Sequence, residues 1–352
     1  MDLHGGNIYR LKREGKEDIL DYSSNINPLG IPESFKEAVM ENFSNVEKYP
    51  DPEYVALRTA IGEYNEIPME NVIVGNGATE ILFLYMKSLN IKKAMIVAPT
   101  FAEYERALKV AGKEVEFFQL REEENFTLNI ERLLNEIKDC DLVVLCNPNN
   151  PTGQFISLEK IDELSKELEK LDKKLFIDEA FIEFIKNWEN KTAKLLKRKN
   201  IFILRALTKF FAMPGIRLGY GLTYDKNILE TMKRKREPWS VNTFAELAGI
   251  IMLNDNEYIL KTEAWINEEK EWFFQELNKI ENIKVFKSES NFILVKLLNE
   301  KANIFRKKMI EENILVRDCS NFVFLNDSFI RLAIKDREKN KRVIEKIEKV
   351  VR

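Results

Sequence analysis

The most regular feature of the chain is an alternation of short apolar runs with longer amphipathic stretches between residues 70 and 225. Six runs predict β-strands, and most are almost continuously apolar, as is typical of strands buried on both faces. They are KAMIVAP (93–99), EVEFFQL (114–120), DLVVLCNP (141–148), KLFIDEA (174–180), IFILRAL (201–207) and LGYGLTY (218–224). Strands that alternate with helices predict an α/β fold with a mainly parallel sheet.

The helical pattern between the strands is clearest in SLEKIDELSKELEKL. Ser157 is the expected N-cap of this helix. Its predicted apolar face consists of Leu158, Ile161, Leu164, Leu168 and Leu171.

The pattern changes after residue 225. Long helical patterns cover 226–280, and a last helix is predicted in REKNKRVIEKIEKVVR. Four short strand patterns lie between them, namely IKVFK, NFILVKL, NILVRD and SFIRLAI. This mixture predicts a smaller α+β domain, and a length of 352 residues is enough for two domains.

Composition narrows the classes of function. The chain is 45% hydrophobic and 32% charged, as in ordinary globular proteins, and its net charge of −3 predicts no general attraction to nucleic acid or anionic membranes. His4 is the single histidine, so a two-histidine metal site is impossible. We expect no metal and expect acid–base chemistry from Lys, Asp, Glu or Tyr.

The cysteines and the N-terminus predict a location. Cys140, Cys146 and Cys319 are scattered without C-x-x-C spacing, which argues against a disulfide framework and structural zinc. The first residues contain no apolar run typical of a signal peptide, and no stretch of about 18 apolar residues occurs. We therefore expect a cytoplasmic protein.

Two polar motifs follow apolar runs, at the kind of position where ligands bind in open α/β sheets. GNGATE (75–80) places Ala78 and Thr79 at a helix N-terminus, where free backbone N–H groups can bind phosphate. A plain turn is the alternative. CNPNNPTG (146–153) predicts a turn that aims Asn150 toward the strand end, although by itself the motif favours a purely structural turn.

Two charged residues follow further strands. Asp178 in FIDEAF ends a strongly apolar strand, where a carboxylate needs a cationic partner or caps the next helix. Lys209 in RALTKFFAMPGIRLGYG is flanked by Phe210 and Phe211, and desolvation there would make its amine nucleophilic toward an aldehyde. An isolated lysine is otherwise usually a solvated surface charge. Arg217 follows eight residues later.

Together, these motifs closely resemble, in order and spacing, the pyridoxal-5′-phosphate (PLP)-dependent aminotransferases of classes I and II, over essentially the whole chain. The resemblance implies a fold type I enzyme. A large domain of residues 45–235 would hold a mostly parallel seven-stranded sheet. A small domain would combine residues 1–44 with residues 236–352.

The resemblance also implies residue roles. Lys209 would bind PLP as a Schiff base and carry protons at the substrate Cα, and Asp178 would pair with the pyridine nitrogen. Asn150 would donate to the phenolic oxygen, and Arg331 would bind the substrate carboxylate. The remaining cofactor contacts would be the ring-stacking Phe101, Tyr49 from a second subunit of a homodimer, and the phosphate-binding Gly77, Ala78, Thr79, Thr208 and Arg217.

Within the family, four segments resemble the L-threonine-O-3-phosphate decarboxylases, which make aminopropanol phosphate for cobalamin. They are HGGN (4–7), YSSNINPLG (22–30), LTKFFAMPG (207–215) and VRDCSNF (316–322). Phe181 stands where the aminotransferases usually carry a tyrosine. We therefore expect decarboxylation of L-threonine-O-3-phosphate, with histidinol-phosphate aminotransferase, using 2-oxoglutarate, as the alternative.

Both substrates carry a phosphate, and Arg317 is the candidate to bind it, with Arg331 behind it. Further substrate contacts are expected from Asn150, His4, Gly5, Gly6 and Asn27. The fold also serves as a ligand-sensing module fused to a DNA-binding domain. No basic helix-turn-helix precedes the sheet here, and both Lys209 and Asp178 are present, which argues for an enzyme.

Overall fold

The protein is described by a computed structural model that covers residues 5–351. Its centre is a seven-stranded sheet in the order β2-β8-β7-β6-β5-β3-β4. Strand β8 runs antiparallel to β2 and β7, and the other four strand pairs are parallel. The strands are β2 (Val72–Asn76), β3 (Lys93–Ala98), β4 (Glu114–Gln119), β5 (Leu142–Cys146), β6 (Lys174–Asp178), β7 (Ile201–Ala206) and β8 (Leu218–Thr223).

The remaining strands form two small sheets. Strands β1 (Leu20–Asp21) and β11 (Ile314–Leu315) pair in parallel, which ties the N-terminal segment to the C-terminal part. An antiparallel sheet has the order β12-β13-β10-β9, built from β9 (Ile283–Val285), β10 (Phe292–Leu297), β12 (Arg317–Asp318) and β13 (Phe329–Ala333).

The α-helices cover both faces of the central sheet and complete the C-terminal part. They are α1 (Ile8–Arg13), α2 (Glu33–Glu41), α3 (Val55–Asn65), α4 (Gly77–Ser88), α5 (Glu103–Val110), α6 (Ile130–Glu136), α7 (Leu158–Lys170), α8 (Leu207–Phe210), α9 (Lys226–Lys235), α10 (Thr243–Met252), α11 (Asn256–Leu277), α12 (Ala302–Glu311) and α13 (Arg337–Val351).

The predicted α/β class and the seven-stranded, mostly parallel sheet are confirmed. Two details of the strand predictions were wrong. Strand β2 was absent from the six predicted runs, and NILVRD forms two short strands, β11 and β12, that belong to different sheets. The division into domains at residues 44/45 and 235/236 stays a prediction.

Helix α7 has most of its predicted apolar face. Ile161, Leu164 and Leu168 are buried, and Ser157 occupies the N-cap position, although its side chain makes no capping hydrogen bond there. The prediction for Leu171 was wrong, because the helix ends at Lys170 and Leu171 is 53% exposed.

The sheet determines where chemistry can occur. Strands β5, β6 and β7 run in parallel, so their carboxyl ends lie at one edge of the sheet. The segments that follow them carry Asn150, Asp178 and Lys209. Within residues 5–351, no helix is long and apolar enough to cross a membrane, and no cluster of three or more His, Cys, Asp or Glu residues could hold a metal ion.

Candidate active site

A cavity of about 270 Å³ opens at the carboxyl ends of these strands. Its walls come from the central sheet, the N-terminal segment and the C-terminal part. Most of the predicted site residues line it, namely Gly5, Ala78, Thr79, Phe101, Asn150, Asp178, Thr208, Lys209, Arg217, Arg317 and Arg331. The fold therefore brings together residues that are more than 300 positions apart in the sequence.

Asp178 is the buried carboxylate at the floor of the cavity. Its Oδ2 accepts a hydrogen bond of 2.6 Å from the Tyr104 hydroxyl, and its Oδ1 accepts one of 2.9 Å from the Ala180 N–H. Burial raises the pKa of Asp178, while these two hydrogen bonds and the nearby Lys209 lower it. Both hydrogen bonds fix the orientation of the carboxylate. Tyr104 was missed by sequence reasoning, although it lies three residues after Phe101 in the same segment.

Lys209 is on the one-turn helix α8, directly after β7. Burial and the positive charge of Arg217 together lower the pKa of its amine to about 8, against an opposing effect of Asp178. A larger share of neutral amine is therefore present near neutral pH, which favours nucleophilic attack on an aldehyde.

The N-terminus of α4 forms an anion-binding corner of the cavity. Gly77 begins the helix with φ +78°, and a Cβ there would lie 2.5 Å from Nη2 of Arg217. Only glycine therefore leaves room for this guanidinium beside the helix N-terminus. Because the N-cap Asn76 makes no side-chain capping bond, backbone N–H groups of the first turn remain available to an anion. Ala78, Thr79, Thr208 and Arg217 surround this corner.

Asn150 and Arg331 are joined across the cavity. Nη1 of Arg331 donates to Oδ1 of Asn150, and its Nη2 donates to the Ser23 carbonyl at 2.7 Å. With Oδ1 engaged, the amide of Asn150 presents its NH2 group as donor. Nε of Arg331 is buried without a partner, and burial lowers the pKa of this guanidinium to about 10. An anionic ligand beside Arg331 would give Nε a partner and would offset the cost of burying the guanidinium charge.

Arg317 and Arg331 lie directly opposite each other on β12 and β13, and each is 5% exposed. Arg317 donates to Oδ1 of Asn321 at 2.8 Å and lies over the Phe322 ring, with 5.2 Å from the guanidinium carbon to the ring centroid. Like charges at opposed positions of a sheet repel each other, more so when buried. Anionic groups in the cavity would offset this repulsion.

The N-terminal segment closes one side of the cavity through Ser23, Ser24, Asn25 and Ile26. Asn25 is 5% exposed, and its Oδ1 has no partner. Sequence reasoning selected Asn27 instead, and the geometry corrects that choice. The Asn27 amide donates to the Phe210 carbonyl at 2.7 Å and to Oγ1 of Thr262 at 2.8 Å, away from the cavity.

The other three predicted N-terminal contacts, Gly5, Gly6 and His4, have different outcomes. Gly5 lines the cavity, and a Cβ there would lie 1.9 Å from the Ser23 carbonyl oxygen. Gly6 does not line it, because its N–H donates to Oγ of Ser23 at 2.8 Å. His4 lies outside the described residues.

Three aromatic residues named in the sequence analysis differ in their position relative to the cavity. Phe101 lines the cavity and meets Tyr104 edge-on. Phe181 lines it as well and packs edge-on against Phe292, with 5.1 Å between ring centroids. Tyr49 does not line the cavity of its own chain. It is 81% exposed and packs on Trp239.

Residues 17–347 match the family "Aminotransferase class I and II". The chain belongs to this family.

Three relatives illustrate the similarity. A protein of Caldanaerobacter subterraneus subsp. tengcongensis, provisionally named threonine-phosphate decarboxylase, is 43% identical over 97% of this chain and 92% of its own length. The threonine-phosphate decarboxylase of Salmonella typhimurium is 35% identical over 99% of this chain and 96% of its own. The crystal structure of the histidinol-phosphate aminotransferase from Clostridium acetobutylicum is 42% identical, with a TM-score of 0.90, and covers 95% of this chain and 99% of that one.

The class I and II aminotransferases are PLP-dependent, and the side chains of the cavity fit this cofactor. The buried Asp178 is suited to a protonated ring nitrogen, since its present partners are neutral donors. Lys209 supplies an amine of lowered pKa. The N-terminus of α4 and Arg217 form a corner that suits a phosphate group.

Proposed function

We propose that this protein is a PLP-dependent decarboxylase that converts L-threonine-O-3-phosphate to aminopropanol phosphate. The observation that carries the proposal is the pair of buried arginines, Arg317 and Arg331, at directly opposed positions of β12 and β13. L-Threonine-O-3-phosphate carries a carboxylate and a phosphate in one molecule, so it offers an anion to each arginine. The relatives named as threonine-phosphate decarboxylases support this choice at 43% and 35% identity.

In this proposal, Arg331 binds the substrate carboxylate with its Nε, which lacks a protein partner, and Arg317 binds the phosphate. Asn25, with its unpartnered Oδ1 nearby, orients the substrate amine or a protonated phosphate oxygen. With PLP bound, Asp178 would keep the cofactor nitrogen protonated, Asn150 would donate to the phenolic oxygen, and Phe101 would pack on the ring.

PLP, when bound, supplies a ring that accepts the electron pair released at the substrate Cα. The bond between Cα and the carboxylate breaks, CO₂ leaves, and one proton is added at Cα. Lys209 holds the cofactor between turnovers and carries that proton. The buried Phe181 and the half-buried Phe101 line the cavity and exclude water from Cα.

The second candidate is histidinol-phosphate aminotransferase. It is favoured by the 42% identity and TM-score of 0.90 to the Clostridium acetobutylicum structure. Histidinol phosphate carries a phosphate and no carboxylate, so in that reaction the two arginines would bind anionic groups of different substrates in turn.

Release of CO₂ from L-threonine-O-3-phosphate by the PLP-loaded protein tests the proposal. Histidinol phosphate with 2-oxoglutarate is the parallel assay, and unphosphorylated L-threonine is the control for phosphate recognition. CO₂ release from the phosphorylated substrate, without glutamate formation in the parallel assay, supports the decarboxylase. Glutamate formation without CO₂ release contradicts it and supports the aminotransferase.

We also propose that the protein works as a cytoplasmic homodimer. Five large apolar side chains are exposed on this chain and are here called the apolar patch: Met40, Phe43, Val46 and Tyr49 from one segment, and Trp239, on which Tyr49 packs. A patch of this kind is typical of protein interfaces, and a second copy of the chain is the occupant that would bring Tyr49 to a neighbouring cofactor site. The free, buried state of all three cysteines is consistent with a reducing compartment.

A further inference from the structure

A cluster of buried charges lies behind the active site, on the opposite face of the sheet. Arg205 is fully buried and donates through Nε to Oε2 of Glu179 at 2.9 Å and through Nη1 to Oε1 of Glu183 at 3.1 Å. Its Nη2 lies 2.8 Å from Oε2 of Glu179 and also donates to Oγ1 of Thr192 at 2.8 Å. None of these groups lines the cavity.

The position of this cluster follows from the alternation of side chains along a strand. Asp178 ends β6 and faces the cavity, so the next residue, Glu179, points to the other side. Ala206 ends β7 and faces the cavity, so Arg205 before it also points away. The ion pair between Glu179 and Arg205 therefore joins the end of β6, which carries Asp178, to the end of β7, which leads into the helix that carries Lys209.

Both partners are held by further contacts. Glu179 accepts hydrogen bonds from the Thr192 hydroxyl at 2.7 Å and the Ala193 N–H at 2.8 Å, and its own N–H donates to the Leu204 carbonyl at 2.8 Å. The Arg205 guanidinium lies over the Trp188 ring, with 5.0 Å to the centroid. The pair is therefore held rigidly in one geometry.

Stability alone is a poor explanation for this arrangement. Moving two carboxylates and a guanidinium out of water costs several kcal/mol per ion, and apolar replacements of buried ion pairs are often neutral or stabilising. A buried ion pair with defined hydrogen bonds does, however, fix the separation and orientation of the backbone segments that carry it.

We propose that Glu179 and Arg205, here called the strand-end clamp, are positioning residues that hold Asp178 and Lys209 at the separation required by the cofactor ring. This inference rests on the proposed roles of Asp178 and Lys209 in PLP binding. It does not depend on whether the bound substrate is decarboxylated or transaminated.

The groups around Asp178 determine which signal reports on the clamp. Lys209 faces it from α8, Tyr104 from α5 and Cys146 from β5, while Glu179 follows it on the reverse face. A shift of Asp178 relative to the ring nitrogen changes the stabilisation of the protonated ring. The absorbance of the bound cofactor changes with pH, and the midpoint of that change depends on the charge of the ring nitrogen.

The test uses two PLP-loaded single variants, Glu179→Gln and Arg205→Lys. Arg205→Lys keeps the positive charge and loses the planar fork that contacts three residues, so a positional role predicts no rescue by lysine. Both variants are expected to shift the midpoint of the absorbance change with pH. They are also expected to lower kcat about 100-fold, as expected for a misplacement of about 1 Å, with a smaller change in KM.

The matched control is Glu269→Gln. Glu269 is also buried and paired with an arginine, since it accepts from Nε of Arg337 at 2.6 Å, but it does not line the cavity. This variant is expected to lower thermal stability without moving the absorbance midpoint. Asp178→Asn is measured alongside and is expected to give the largest change in the absorbance.

The outcomes distinguish a failure of the clamp from a failure of the proposed role of Asp178. A changed spectrum in Asp178→Asn together with wild-type midpoints in Glu179→Gln and Arg205→Lys overturns the clamp and leaves the proposed role of Asp178 intact. A wild-type spectrum in Asp178→Asn overturns that role and the clamp with it. If Arg205→Lys does not fold, Glu179→Gln alone decides, because it is isosteric and keeps a hydrogen-bonding side chain.

Discussion

At the scale of single residues, the environment of Lys209 works against the charged form of its amine. Burial is the largest cause, Arg217 adds to it, and Asp178 opposes it, which brings the pKa to about 8 from 10.5. Only the neutral amine attacks an aldehyde, so the reactive fraction of Lys209 rises with pH around this lowered value.

We therefore predict that the rate at which PLP attaches covalently to the cofactor-free protein rises with pH, with a midpoint of about 8. Stopped-flow absorbance measures this rate, and Lys209→Ala provides the background from other lysines. A midpoint near 10.5, the ordinary lysine value, would mean that the amine is solvated and that the buried environment described for it is incorrect.

Resemblance and position at strand ends were enough to select most residues that line the cavity, including Lys209, Asp178 and Asn150. They were not enough to choose between Asn25 and Asn27. The segment that carries both is irregular, and its backbone path decides which amide faces the cavity and which one holds the Phe210 carbonyl. Sequence reasoning missed Tyr104 and the clamp because each of these residues pairs with a residue distant in sequence. No motif around Tyr104, Glu179 or Arg205 indicates such a pairing.

At the scale of elements, the apolar periodicity predicted the strands that matter for the site, since β5, β6 and β7 are buried on both faces. Periodicity failed where tertiary pairing decides the structure. Strand β2 continues without a break into α4, and the run NILVRD is shared between two sheets because Val316 separates β11 from β12. The short apolar run VIV (72–74) does mark β2, whereas the break between β11 and β12 is invisible because residues 314–316 are continuously apolar.

Two leucines of the α7 region test where the buried face of this helix ends. Leu168 is fully buried, so Leu168→Ala should lower the free energy of unfolding by about 2–5 kcal/mol. Leu171→Ala removes the same atoms from a side chain that is 53% exposed, so it should change the free energy of unfolding by about 0.5 kcal/mol or less. Urea denaturation at one protein concentration measures both. Equal losses would contradict the end of the helix at Lys170.

At the scale of the whole molecule, the N-terminal segment is bound to the C-terminal part before it reaches the cavity. Strand β1 pairs with β11, and Arg331 holds the Ser23 carbonyl. The exposed patch around Tyr49 and Trp239 then remains on the outside of the chain. Sequence alone could not add Trp239 to this patch, because it lies far along the chain from the segment that carries the other four members.

We predict that the protein sediments as a dimer of the 41.3 kDa chain and that Phe43→Glu shifts it toward monomer, because a charge replaces a side chain that is 62% exposed within the patch. Tyr49→Ala should keep the dimer and weaken PLP retention. Leu298→Glu, at an exposed apolar residue outside the patch, is the control. A wild-type monomer that retains PLP fully would contradict the proposed dimer.

The proposed decarboxylation of L-threonine-O-3-phosphate is tested by NMR of one D₂O sample that contains the PLP-loaded protein, this substrate and 2-oxoglutarate. We predict aminopropanol phosphate with one solvent deuteron at the former Cα, CO₂ in equal amount, and no glutamate. Glutamate together with the 2-oxo acid of the substrate, without CO₂, would contradict it.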